Sequence, residues 1–93
     1  MRQILIEKYV EPSNASSYRN FFHERWFNED GELHSILGQP ADIFYENGQI
    51  VQKEWYKKGV KHRGKRLPAE VWYENERIFI EYWYKNGEKT KEV

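Results

Sequence analysis

Apolar positions along this chain fall in short runs with a period near two, not in the stripes of three and four that a helix would need. Asp42-Ile43-Phe44-Tyr45-Glu46, Gln49-Ile50-Val51 and Arg77-Ile78-Phe79-Ile80-Glu81-Tyr82-Trp83-Tyr84 are rich in β-branched and aromatic residues and bounded by Asn, Gly, Lys and Pro. That pattern predicts strands. Only Ser16-Ser17-Tyr18 offers even a short helical turn. Asn47-Gly48, set between two such runs, is a strong hairpin signal, because a type I′ turn needs two residues at positive φ. Asn75-Glu76 takes the same place later, and Asn28-Glu29-Asp30-Gly31, Lys57-Lys58-Gly59 and Lys85-Asn86-Gly87 close the other ends. The prediction is an all-β antiparallel meander with strands over about 2–10, 20–27, 41–46, 49–56, 69–74 and 77–84, a short seventh over 88–92, and a polar connector over 11–18.

The same text appears twice, 28 residues apart. Pro40-Ala41 recurs as Pro68-Ala69, Tyr45-Glu46-Asn47 as Tyr73-Glu74-Asn75, Ile50 as Ile78, Trp55-Tyr56 as Trp83-Tyr84, and His34 as His62. Gly31, Gly59 and Gly87 share the register. A fixed period of this length implies stacked supersecondary units. The chain divides into N-terminal strands (1–27), a first repeat (28–55), a second (56–84) and a partial third (85–93), within one domain of 93 residues. Loops 32–40 and 60–68 are equivalent, and each ends in a proline that sets φ before a strand begins.

Two-residue turns place Tyr45 opposite Ile50 and Phe44 opposite Val51, then Tyr73 opposite Ile78, Trp72 opposite Phe79 and Val71 opposite Ile80. Strict alternation then gathers Ala41, Ile43, Tyr45, Ile50, Ala69, Val71, Tyr73, Ile78, Ile80 and Tyr82 on one face, the natural core. The other face carries Phe44, Val51, Trp55, Trp72, Phe79 and Trp83 among Asp42, Lys53, Glu70 and Glu81. A dry core would not accept those charges unpaired. No amphipathic helix is at hand to cover this aromatic row, so the expectation is a curved single sheet with the rings left as a surface.

Composition sharpens this. Aromatics number 16 of 93 residues, and there is no cysteine, which removes disulfide and thiolate chemistry and fits a reducing cytoplasm. The opening Met1–Glu7 is too short and too interrupted in its apolar run for a signal or a membrane span. Net charge is zero, but unevenly spread: residues 1–46 hold 4 basic and 8 acidic side chains, and residues 47–93 hold 11 and 7. The excess of cations sits in Lys57, Lys58, Lys61, Arg63, Lys65 and Arg66, six in ten residues. The equivalent segment of the first repeat, 29–38, is acidic, so the repeat does not itself demand basic residues there.

Candidate catalytic groups fare poorly. His23, His34 and His62 lack the spacing of a zinc site, and the shared repeat position of His34 and His62 argues for one structural role used twice. Glu70 and Glu81 would stand nearly opposite, as a glycosidase pair requires. Their counterparts Asp42 and Lys53 would form a plain cross-strand ion pair, which favours a structural account of both. No nucleophile elbow, phosphate loop or calcium loop is present. The expectation is a protein without enzymatic activity or cofactor.

The stretch Glu54-Trp55-Tyr56-Lys57-Lys58-Gly59-Val60-Lys61-His62-Arg63-Gly64-Lys65 resembles the MORN repeat. With Leu33-His34, Gly38-Gln39-Pro40-Ala41, Phe44-Tyr45-Glu46-Asn47-Gly48, His62-Arg63 and Pro68-Ala69, it is more similar still to MORN-like repeats of small bacterial, bacteriophage and giant-virus proteins. The resemblance covers about 26–90. It departs from the pattern at Ser35, where arginine is usual, and at Gln39, which splits Gly-Pro. It implies stacked hairpins and binding to a protein or membrane surface without catalysis. For the phage-type members it implies an inhibitor or antitoxin-like role against a host protein.

Two functional readings stay open. In one, a cytoplasmic module binds a host protein through Phe44, Trp55, Trp72, Phe79 and Trp83 and through Lys57, Lys58, Lys61, Arg63, Lys65 and Arg66, with homodimerisation as a second use of the same face. In the other, the basic loop 57–66 and its neighbouring rings hold single-stranded nucleic acid or another polyanion.

Overall fold

The computed structural model describes the backbone of residues 3–14 and 17–93 and the side chains of 21–91 and 93. The described residues are all-β. In chain order the strands are β1 (Gln3–Asn14), β2 (Ser17–Phe27), β3 (Asp42–Glu46), β4 (Gln49–Glu54), β5 (Tyr56–Lys57), β6 (Val60–Lys61), β7 (Glu70–Glu74), β8 (Arg77–Lys85) and β9 (Glu88–Glu92). All but β5 and β6 form one open antiparallel sheet in the order β1-β2-β3-β4-β7-β8-β9, and β5–β6 is a separate small hairpin. No helix among the described residues is long and apolar enough to cross a membrane.

The expected connector over 11–18 is largely strand. β1 continues to Asn14 and β2 begins at Ser17, so Ser17-Tyr18 is extended rather than helical; residues 15 and 16 lie outside the described ones. Long antiparallel pairing with β2 overrides the polar composition, because the ladder bonds backbone groups whatever the side chains are.

The turns follow the chemistry that the sequence announces. Asn47 and Gly48 hold φ of 51° and 82°, consecutive positive values as in a type I′ turn. Asn75 and Glu76 do the same at 51° and 65°, so the second hairpin keeps the turn even without glycine.

Register departs from simple alternation. Tyr45 faces Ile50 and Tyr73 faces Ile78 as expected, but Phe44 faces Gln52, not Val51. Trp72 faces Ile80, not Phe79, and Val71 faces Glu81, not Ile80. Val51 and Phe79 are the extra residues of two β-bulges, one per hairpin. Because side chains alternate with period two, one added residue exchanges the faces of everything beyond it. Ile80 and Tyr82 therefore share a face with Trp72. Lys53, Trp55, Glu81 and Trp83 join Val71 instead.

The core forms on that second face. Trp55 is 6 % exposed and packs with the fully buried Ala69 and with Val71, flanked by Tyr73 and Tyr84. Ala41 and Ala69 extend β3 and β7 by one rung. The Trp26 amide donates to Ala41 and Ala41 donates to Glu54, while Trp55 donates to Ala69 and Ala69 donates to Tyr82. Pro40 and Pro68, just before them, are buried. Nearer the N-terminus the sheet stacks rings on both faces: Phe22 on Tyr45 at 4.4 Å, and His23 on Phe44 at 4.6 Å.

Candidate functional site

The face that holds Trp72 is charged and internally paired. Asp42, Glu54 and Glu70 occupy neighbouring rungs of β3, β4 and β7. Buried Asp42 accepts from His23 Nδ1 at 2.8 Å and Arg25 Nε at 3.2 Å. Lys61 Nζ sits 2.6 Å from Glu54 and 2.5 Å from Glu70. Glu70 also accepts the Trp72 indole N–H at 2.5 Å and the Gln52 amide at 3.5 Å. Burial alone would lower the Lys61 pKa, but the hydrogen bonds and charges of the two glutamates outweigh it and raise the group. Lys61, expected to bind a partner, is thus a cross-strand clamp. Without it, two carboxylates would stand opposite each other on adjacent strands, which is unfavourable.

The same bulges undo two expected pairs. Asp42 faces Glu54, not Lys53, and Lys53 lies over the Tyr73 ring at 5.5 Å. Glu70 faces Tyr82, and Glu81 is on the opposite face, so the proposed carboxylate pair does not form. Among the described residues no three His, Asp or Glu side chains gather as a metal ion would need.

The aromatic row is not a single exposed surface. Trp55 is roofed by the loop before Pro40: its Nε1 donates to the Gly38 carbonyl at 2.9 Å, and the Arg63 guanidinium covers the ring at 3.8 Å. Half-buried Trp83 is held in the same way, donating to Arg66 O at 3.0 Å with Lys91 Nζ 4.9 Å from the ring. Phe44 lies between Phe21 and His23 on the other face, with Gln52 of β4 standing between it and Trp72. Only Phe79, the bulge residue, is 51 % exposed.

A cleft of about 460 Å³ opens between loops 32–40 and 60–68. Its walls are His34, Ser35 and Gly38 on one side and His62, Arg63, Gly64, Lys65 and Leu67 on the other, with Trp55, Tyr56 and Lys57 between them. No carboxylate lines it. Lys57, Lys58, Lys65 and Arg66 are exposed in and around it. Of the six cations expected at the surface, four are there; Lys61 is spent on the glutamates, and Arg63 is half-buried against Trp55.

Both histidines are fixed by backbone. His34 Nδ1 accepts from the Lys58 amide at 3.0 Å, and His62 Nδ1 accepts from the Asn86 amide at 2.9 Å. Each neutral ring therefore carries its proton on Nε2. Each caps a turn in which the next residue is a glycine at positive φ, Gly59 or Gly87. Ser35 Oγ accepts from the Tyr56 amide at 3.0 Å. Burial lowers the Arg63 pKa, partly offset by Tyr73. Its Nη1 donates to Pro68 O at 3.1 Å.

Tyr56 and Ser35 escaped the sequence reading. The usable signal for position 35 was the 28-residue spacing, since 35, 63 and 91 stand that far apart and hold Ser, Arg and Lys. No protein-family model, curated protein or solved structure matches the chain.

Proposed function

We propose that the chain is a non-enzymatic binding module of MORN-like character, whose cationic cleft engages an acidic segment of a protein partner. Support for a repeating unit comes from contacts spaced 28 residues apart: His34 to Lys58 and His62 to Asn86, Trp55 to Gly38 and Trp83 to Arg66, and the bulges at Val51 and Phe79. The observation that carries the binding reading is the cleft wall. Arg25 and Lys61, half-buried on the Trp72 face, meet carboxylates, yet this cleft gathers Lys57, Arg63 and Lys65 with none.

Backbone strain points the same way. Lys65 and Arg66 hold φ of 60° and 58°, where the first loop has Leu37 and Gly38. A cation at a position suited to glycine costs stability and is kept where function uses it. Protein is favoured over single-stranded nucleic acid because base stacking needs free ring faces. Trp55 and Trp83 each already have a cation over the ring. By extension of the resemblance, an inhibitor of a host protein is the biological role proposed.

The test is affinity capture with the wild type and with Lys57→Glu/Lys58→Glu/Lys65→Glu/Arg66→Glu. A protein partner that is lost at raised salt and lost with the reversed variant, while the melting temperature holds, supports the reading. An identical set of captured proteins for both baits would sink it.

A further inference from the structure

Among the described residues, no anion stands against Arg63. Its guanidinium carbon sits over the Trp55 ring, 3.8 Å from the centroid, one N–H goes to a backbone carbonyl, and among the described residues no carboxylate pairs with it. Two other half-buried cations are treated otherwise: Arg25 meets Asp42, and Lys61 meets two glutamates, while Lys53 rests over the Tyr73 ring. Water has been taken from the Arg63 charge, as the lowering of its pKa by burial agrees, and a partly desolvated charge without a counter-charge is unfavourable. The deficit lies in the wall of the cleft, which Lys57 and Lys65 also line.

Resting on the reading of the cleft as a site for an acidic protein segment, we propose that Arg63 is its anchor, taking the carboxylate of one Asp or Glu side chain of the partner in a two-pronged hydrogen bond. A guanidinium stacked on a ring keeps its edge N–H groups for donation. A planar fork already held against a ring loses less freedom when it binds, and carboxylate is the side-chain group whose geometry it matches. Lys57 and Lys65 add charge around the anchor without matching its directionality.

The repeat supplies the control. Equivalent positions 35 and 91 hold Ser and Lys, so the fold accepts both at 63. Isotope-labelled protein is titrated with a short oligoglutamate peptide, an oligothymidylate of equal charge, and inorganic phosphate. Oligoglutamate is expected to shift backbone resonances at His34, Lys57 and His62 to Leu67. Arg63→Ser is expected to weaken it roughly tenfold or more, and Arg63→Lys by less, since truncating one partner of a desolvated charge pair is costly. Unchanged oligoglutamate affinity in Arg63→Ser, or shifts confined to other residues, overturns the anchor while leaving the acidic-partner reading in place. Phosphate binding as tight as oligoglutamate overturns the carboxylate assignment. A wild type that ignores oligoglutamate overturns both, and one that also binds oligothymidylate favours nucleic acid.

Discussion

At position 76 a glutamate holds φ at 65°, where the preceding hairpin has Gly48 at 82°. An L side chain in that region costs about 1 kcal/mol or more, and glycine does not. Glu76→Gly should therefore raise stability by about 1 kcal/mol, a shift of roughly 4–8 °C in the melting temperature of a chain this size. Nothing lies within 4 Å of a Cβ built on Gly48, so Gly48→Val isolates the backbone term and should lower stability by a similar amount. The histidines allow a cleaner dissection. His34→Ala and His62→Ala each orphan a turn N–H and should cost about 1 kcal/mol in urea unfolding. Asparagine places its oxygen near the Nδ1 position, so His34→Asn and His62→Asn should recover most of the loss. Equal losses for Ala and Asn would show that the ring's packing, not its acceptor, is what matters.

Within the hairpins, the strands and turns were legible and the phase was not. Asn47-Gly48 and the β-branched runs act locally, so each was readable from a few residues. A bulge has no such signature: Val51 and Phe79 are ordinary strand residues, and the 28-residue period is the same with or without them. That single missing fact misplaced Trp55 and Trp83 and created the false Glu70–Glu81 pair. It also hid the buried bridge of Lys61, whose partners only the true register brings together. Deleting Val51 takes out the bulge and sets Gln52 next to Ile50, still opposite Phe44, so Lys53, Glu54 and Trp55 keep their faces. Unfolding followed by tryptophan fluorescence should therefore stay cooperative in the deletion, as in Val51→Ala, which keeps the bulge. A deletion variant that loses cooperative unfolding would mean that the hairpin needs the bulge itself and not only the phase it sets.

For the molecule as a whole, pH and charge act through different parts of the sheet. Tyr45 and Tyr56 are each pushed up to about 12 from 10, first by burial and then by a neighbouring carboxylate, Glu24 for Tyr45 and Glu54 for Tyr56. Both phenols would ionise near 10 in the unfolded chain, so their neutral forms stabilise the fold fully below that pH. The contribution drains away as pH climbs towards 12. Urea unfolding measured across that window should show stability falling with pH, and less steeply in Tyr56→Phe. A slope unchanged in Tyr56→Phe would mean that another group governs the alkaline limit.

Arg66 joins stability to binding. It holds φ at 58°, and its backbone carbonyl accepts the Trp83 indole N–H, just as the Gly38 carbonyl accepts that of Trp55. Arg66→Gly therefore rebuilds a geometry that the chain already uses, keeps the carbonyl, and removes both the strain and one exposed charge beside the cleft. Stability should rise by about 1 kcal/mol. Affinity for an acidic segment should fall roughly twofold to fivefold, the worth of one exposed charge, with a shallower dependence on salt. Differential scanning calorimetry and a salt series on the same sample read the two effects separately. Opposite signs would identify the loop as a place where the fold gives up rigidity to present cations. A variant that gains stability and binds as before would show that the strain at Arg66 serves no interaction, and would move the site inward to Arg63, Lys57 and Lys65.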